Sequence, residues 1–297
     1  MPSRRFGLSC AISTPFAESG AIDIGRLIAH ARASMADGCD SITLFGTTGE
    51  GFGIGVRERA EVYAAFARAG FDLRNAVGAG IMGASVEEAA AQAAQALEAG
   101  CRHLLLAPPF YFKGVSDDGL FGWHQALFAA LGAACRDVIL YNIPGQTSVQ
   151  ISPELVTRLR QASPGVITGV KDSSGDWAQT ERMLATHGDL AILVGDERHL
   201  ARAVRMGGQG SICGMANIYA GRLLPLVREG RDDAVVNALV EAVIAVPVLP
   251  AIKALIAEET GDAGWNTVRA PLTPLTEAER KGLFDSIHAI LAEARSG

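Results

Sequence analysis

Only four lysines occur in the chain, Lys113, Lys171, Lys253 and Lys281, and one of them stands where an amine could do covalent chemistry. Lys113, Lys253 and Lys281 fall in loop or helical contexts that suit a solvated ammonium. Lys171 closes the apolar run Val166-Ile167-Thr168-Gly169-Val170, so its amine is expected to project from a hydrophobic wall. Such surroundings disfavour the charged form and leave a nucleophile. The chemistry that follows is Schiff-base formation with a ketone, giving an iminium that draws electrons while an adjacent carbon bond forms or breaks. The competing reading pairs Lys171 with its neighbour Asp172.

Other groups fit around such an intermediate. The turn Gly46-Thr47-Thr48-Gly49-Glu50 follows the run Ser41-Ile42-Thr43-Leu44-Phe45 and offers hydroxyls and backbone N–H groups, a cradle for a carboxylate. The same residues also make an ordinary tight turn. Tyr141 stands next to last in the run Asp137 to Asn142, and the Ile143-Pro144-Gly145 after that run fixes its direction, so its phenol either relays protons or caps the core. Tyr111, after Pro108-Pro109-Phe110, is either a site residue or an interface aromatic.

These groups need a scaffold, and its period is legible. Amphipathic stretches with apolar residues at i, i+3, i+4 and i+7 run over Ile24 to Ala36, Val56 to Ala69, Val86 to Ala99 and Leu120 to Ala134, and predict helices. Between them lie short apolar runs without strict alternation, FGLSCAIS, SITLF, NAVGAG, HLLLAP, DVILYN, VITGVK, LAILVG and GSIC, as parallel strands buried on both faces should read. Gly38, Gly100, Gly165 and Gly207 each precede such a run, as helix-ending glycines do. Eight strand–helix alternations within the first ~225 residues fit a (β/α)8 TIM barrel of roughly 250 residues better than an open doubly wound sheet. Residues 1–225 are therefore expected to form the barrel carrying the site. Residues 226–297 are expected to be a C-terminal helical appendage packed on it, with helices broken by Pro247, Pro250 and the turn-rich Gly261 to Pro274.

The barrel reading confines chemistry to strand C-termini and the loops after them. Composition removes other functions: the net charge is −6 and no basic run exceeds Arg4-Arg5, which argues against nucleic acid. Six dispersed histidines and no H-E-x-x-H argue against a metal. Gly78-Ala79-Gly80-Ile81-Met82-Gly83 matches G-x-G-x-x-G, yet the next strand closes on no acidic residue, so a dinucleotide is not expected. There is no G-x-S-x-G elbow for a serine nucleophile. Five scattered cysteines without C-x-x-C suit a reducing compartment, and with no signal-type or membrane-spanning apolar run the expected location is the cytoplasm.

Taken together, GTTGE after the second strand, PPFY after the fourth, YNIPG at the fifth, GVKDSSGD at the sixth, GDE at the seventh and GSICGMAN at the eighth resemble the dihydrodipicolinate synthase / N-acetylneuraminate lyase family. The resemblance runs from Thr14-Pro15 to the C-terminal PLTPLT. It implies a class I, metal-free aldolase or lyase, needing no cofactor, in which pyruvate or the pyruvyl part of a 2-oxo acid forms a Schiff base with Lys171. It further implies that Gly46, Thr47 and Thr48 hold the pyruvyl carboxylate, that Tyr141 shuttles protons, and that Thr47 links Tyr141 to a Tyr111 lent by a neighbouring subunit of a homodimer or homotetramer. The carbonyls of Gly195 and Ile212 are expected near the substrate, and Asp196 and Glu197 where related lyases bind sugar hydroxyls.

The chain departs from that pattern at Gln146. Lysine-pathway synthases of the family carry an arginine there, and a neutral amide lacks the charge-assisted bidentate bond that clamps a semialdehyde carboxylate, a loss of about 2 to 4 kcal/mol. Val56 and Phe110 replace a histidine and a tyrosine of lysine-sensitive relatives, so strong lysine inhibition is not expected. The leading expectation is therefore a lyase joining or releasing pyruvate and an aldehyde, for example from a 2-keto-3-deoxy sugar acid, with Gln146, Asp196 and Glu197 selecting the second half. The alternatives are 4-hydroxy-tetrahydrodipicolinate synthase, a dehydratase or deaminase of a hydroxylated 2-oxo acid, and a non-enzymatic 2-oxo acid sensor.

Overall fold

Each of the eight apolar runs becomes a short strand, buried on both faces except at Thr168 and Ala191 near the starts of their strands. The computed structural model describes residues 5–296, with strands β1 (Gly7–Ala11), β2 (Ser41–Leu44), β3 (Val77–Ile81), β4 (Leu104–Leu106), β5 (Val138–Asn142), β6 (Ile167–Asp172), β7 (Ala191–Val194) and β8 (Gly210–Cys213). They pair in parallel in sequence order, and β8 returns to β1, so the sheet closes into a (β/α)8 TIM barrel. The helices are α1 (Ile24–Ala36), α2 (Val56–Arg68), α3 (Leu73–Ala76), α4 (Val86–Glu98), α5 (Asp117–Leu131), α6 (Pro144–Thr147), α7 (Pro153–Ala162), α8 (Trp177–His187), α9 (Glu197–Arg205), α10 (Ala216–Glu229), α11 (Ala234–Ile244), α12 (Val248–Thr260) and α13 (Glu277–Ser296).

The absence of alternation in the strands has a direct cause. Tyr141, Leu193 and Ile212 pack inside the barrel, whereas their neighbours Leu140, Ile192 and Cys213 pack outward under the helices, so both faces must be apolar. Glycines after helices do what the sequence pattern requires: Gly100 and Gly207 have φ of +88° and +100°, a left-handed conformation that lets the chain turn into the next strand. Helix starts are fixed by side chains, Ser85 accepting from Glu88 N and Ser152 from Leu155 N, and α5 begins at Asp117, earlier than its apolar period suggests, because Ser116 caps it.

One expectation is corrected. Pro250 does not break a helix: Pro247 caps α12 and Pro250 lies in its first turn, where an N–H would lack an intrahelical partner anyway. The glycines of the G-x-G-x-x-G match serve packing, since a Cβ at Gly78 would fall 2.0 Å from His103 Nε2, one at Gly80 2.2 Å from the Phe45 carbonyl oxygen, and one at Gly83 2.5 Å from Ala89 N. After β8, α10 packs on β1, α11 on α9 and α12 on α10, which brings the C-terminal helices over the barrel mouth. Among the described residues no single helix is long and apolar enough to cross a membrane.

Candidate active site

Strand pairing sets the site. Tyr141 on β5 and Lys171 on β6 are register partners, so their side chains point the same way, into the barrel, while Asn142 and Asp172, one residue on, point outward. Lys171 Nζ donates to the Tyr141 hydroxyl at 3.1 Å, and that hydroxyl lies 3.2 Å from Thr47 Oγ1. Lys171 is 5% exposed and Tyr141 2%, so the amine sits almost dry yet opens onto a cavity. Asp172 does not pair with Lys171. Its carboxylate accepts from Asn142 Nδ2 at 2.9 Å, Thr180 Oγ1 at 2.6 Å and Ser174 N at 3.1 Å, which ties β5, β6 and α8 together behind the site.

The turn after β2 is held from several sides. Phe45 and Glu50 both have left-handed φ, of 57° and 54°, and the turn closes through Glu50 N to the Thr47 carbonyl at 3.0 Å and Gly51 N to the Gly46 carbonyl at 3.0 Å. Thr14 Oγ1, beyond the end of β1, donates to the Gly49 carbonyl at 2.7 Å, which gives Thr14 its place beside the turn. Behind the turn, the buried Arg59 guanidinium donates to the carbonyls of Gly51 (2.7 Å), Gly80 (2.7 Å) and Ile54 (3.0 Å). Among the described residues the N–H groups of Thr47 and Thr48 have no intramolecular acceptor, as a cradle for an anion requires.

A cavity of about 240 Å³ opens above Lys171. Thr47, Thr48, Tyr141, Gln146, Gly195, Asp196 and Glu197 line it with Lys171. Gly46 and Ile212 do not: Gly46 is buried at the start of the turn, and Ile212 packs within the barrel beside Tyr141. Tyr111 is 76% exposed, edge-on to Phe112, and away from its own chain's cavity. A second cavity of about 270 Å³ lies on the other side of Thr47, walled by Phe52, Phe110 and Arg269 and sharing Gln146 with the first.

The two acidic residues at the mouth differ. Asp196 caps α9 and is gripped by Arg198, Nε to Oδ1 at 3.0 Å and Nη2 to Oδ2 at 2.8 Å; burial pushes its carboxyl up, but the Arg198 bonds outweigh this and hold it below the ordinary value. Glu197 is pushed up by burial, although its carboxylate accepts from Met215 N at 3.2 Å. At Gly195 a Cβ would lie 1.9 Å from Ser173 Oγ and 3.1 Å from Lys171 Cε, so a larger residue would press on the side chain that carries the amine.

Sequence reasoning missed part of the site. Ser173 and Arg198 line the cavity, and its outer wall is aliphatic, built by Val240, Val243 and Ile244 of α11 and by Val248, Leu249 and Ile252 of α12. Lys253 corrects the expectation of a solvated ammonium: it is fully buried and ion-paired with Glu50. A signal for this existed, because Pro250 to Ala257 is apolar on every helical face and a lysine within such a helix has no wet side. Among the described residues no three His, Cys, Asp or Glu side chains gather where they could hold a metal ion.

Comparison with known proteins gives the family and the fold. The model of the dihydrodipicolinate synthetase family matches residues 5–290. A 4-hydroxy-tetrahydrodipicolinate synthase of Salinibacter ruber is 33% identical over 282 residues, covering 91% of this chain and 90% of that protein. The crystal structure of dihydrodipicolinate synthase from Agrobacterium tumefaciens superposes with a TM-score of 0.94 at 50% identity, covering 96% of this chain and 99% of that one. A Sulfolobus 2-keto-3-deoxygluconate aldolase shares the fold, with a TM-score of 0.84 at 21% identity over 98% of both chains.

Proposed function

The chain belongs to the dihydrodipicolinate synthetase family, and from that premise we propose a Schiff-base-forming lyase acting on pyruvate, or on the pyruvyl half of a longer 2-oxo acid, with an aldehyde as the other partner. The observation that carries this reading is the chain from Lys171 Nζ through the Tyr141 hydroxyl to Thr47 Oγ1 at the cavity floor.

In the proposed reaction the Lys171 amine adds to the C2 carbonyl, the carbinolamine loses water, and the iminium carbon–nitrogen bond accepts electrons from C3. The Tyr141 hydroxyl, in contact with both the amine and Thr47, carries the protons that carbinolamine formation and dehydration need. The pyruvyl carboxylate sits on the Thr47 and Thr48 N–H groups, with Gly46 setting the turn, and the Gly195 carbonyl completes the contacts, while Ile212 packs within the barrel and does not line the cavity. Loss of a C3 proton gives the enamine that attacks the aldehyde; cleavage is the reverse.

The aldehyde half lies outward, where Gln146, Asp196 and Glu197 select it. Gln146 is exposed at the cavity edge on α6 and offers no charge to a substrate carboxylate, which supports a partner such as the aldehyde released from a 2-keto-3-deoxy sugar acid. The second reading, 4-hydroxy-tetrahydrodipicolinate synthase, has the identity to the Agrobacterium and Salinibacter proteins in its favour and Gln146 against it. Tyr111, exposed beside Phe112, is proposed to enter the site of a neighbouring copy in a cytoplasmic homodimer or homotetramer.

The test is exchange at C3. Pyruvate in heavy water should gain deuterium at its methyl group in the presence of the protein, and Lys171→Met should abolish the gain. Exchange that survives Lys171→Met would defeat the proposal.

A further inference from the structure

We propose that Lys253 is a positioning residue for this reaction: through its ion pair with Glu50 it fixes the turn that carries Thr47 and Thr48, and thereby the hydroxyl that meets Tyr141. The inference rests on the Schiff-base reading above.

Lys253 is 0% exposed and Glu50 7%, and both are fully engaged. Lys253 Nζ pairs with Glu50 Oε1, donates to the Thr267 carbonyl at 2.8 Å and lies 4.4 Å from the centre of the Phe16 ring, while Glu50 Oε2 accepts from Arg269 N at 3.0 Å. A buried pair of this kind contributes little net stability compared with an apolar pair of the same volume, because both ions lose their water. What it supplies is a fixed place for Glu50. That residue has a left-handed φ of 54°, a conformation disfavoured for any residue with a Cβ, and persists in it only if its surroundings hold it. Its backbone N–H then closes the turn on the Thr47 carbonyl at 3.0 Å.

The preceding residue, Ile252, lines the Lys171 cavity, as does Leu249 one turn earlier on the same helix. Helix α12 thus walls the cavity and anchors the catalytic turn at adjacent residues. With the pair removed, Glu50 can relax toward an ordinary φ, the turn shifts, and the Thr47 hydroxyl leaves its 3.2 Å contact with Tyr141. Lys171 itself is untouched by such a change.

A double-mutant cycle between Lys253→Met and Thr47→Val tests this, read by borohydride trapping of pyruvate on Lys171 and by deuterium exchange at pyruvate C3, with thermal melts as the fold control. Lys253→Met should still form the adduct but exchange about 10- to 100-fold more slowly. The double variant should lose less than the product of the two single losses, because both disturb the same hydroxyl, and Lys253→Arg should recover most of the rate. Unchanged exchange in Lys253→Met, or losses that multiply in the double variant, would overturn the positioning role. If Lys253→Met does not fold, Glu50→Gln, which keeps the shape and removes the charge, enters the same cycle with the same criterion. Absence of any adduct in the unmodified protein would bring down the Schiff-base reading and this inference together, whereas an adduct with multiplicative losses refutes the inference alone.

Discussion

Replacing Gly195 by alanine should slow the amine's reaction while sparing the fold. An added Cβ would fall 1.9 Å from Ser173 Oγ, 3.0 Å from Ser173 Cβ and 3.1 Å from Lys171 Cε. The serine hydroxyl can rotate away, but its Cβ and the lysine Cε must each withdraw by about half an ångström to reach ordinary carbon contact at 3.5 to 4.0 Å. Cε bears the reacting nitrogen, which lies 3.1 Å from the Tyr141 hydroxyl, so the displacement passes directly to that bond. Overpacking of this size costs about 1 to 3 kcal/mol of stability, and since a full ångström of misplacement can cost about 100-fold in rate, a shift of half that should slow adduct formation by about 10-fold. Gly195 has no unusual φ, so no backbone strain enters the comparison. The assay is the rate of pyruvate adduct formation on Lys171, trapped by borohydride and followed by mass, beside a thermal melt. Wild-type adduct formation in a folded Gly195→Ala would show that the lysine does not lie against this glycine, and the packing argument would fail.

Other changes report on separate parts of the account. Tyr141→Phe keeps the buried ring and loses only the hydroxyl, so turnover should drop by about 100- to 10,000-fold with about 1 kcal/mol or less lost in stability; unchanged turnover would remove the proton relay. Gln146→Arg should raise kcat/KM for an aldehyde bearing a carboxylate, relative to an uncharged one, by about 30-fold, the equivalent of about 2 kcal/mol, and no change in that ratio would mean Gln146 does not face the second substrate. Stability should depend on pH through His124, whose pKa is pushed down from 6.5 to about 4 by burial. As pH falls below 6.5 the unfolded chain takes up this proton and the folded chain does not, so His124 alone lowers stability by about 2 kcal/mol from pH 7 to pH 5, beside a similar share from His103, pushed down to about 3 by burial. His124→Phe should remove the His124 share and leave that of His103 in urea melts at the two pH values, and an unaltered difference would contradict it.

Much of this was legible in the sequence because the signals were local. The eight runs read as strands since a barrel strand is apolar on both faces, and Lys171, Tyr141 and the Gly46 to Glu50 turn stood out as polar groups at strand ends. What was not legible depended on distant segments. Whether Lys171 pairs with Asp172 is decided by strand alternation and by Asn142 and Thr180 claiming the carboxylate. That α11 and α12 supply the aliphatic outer wall follows from how they fold back over the mouth, which no local pattern encodes. Asp196 carried a double meaning, since an aspartate before a helix reads equally as a ligand for hydroxyls and as the helix cap it proves to be, bound to Arg198. Lys253 was misread because a lysine in a helix is usually wet, and its burial depends on Glu50, 203 residues earlier in the chain.

The central claim is that Lys171 forms a Schiff base with a 2-oxo acid. Incubation with pyruvate, reduction with borohydride and peptide mapping tests it most directly. The structure predicts a single adduct on Lys171 and none on Lys253, whose amine is held by Glu50 and the Thr267 carbonyl. A folded protein with no adduct on Lys171, or with adducts spread over several lysines, would contradict the claim.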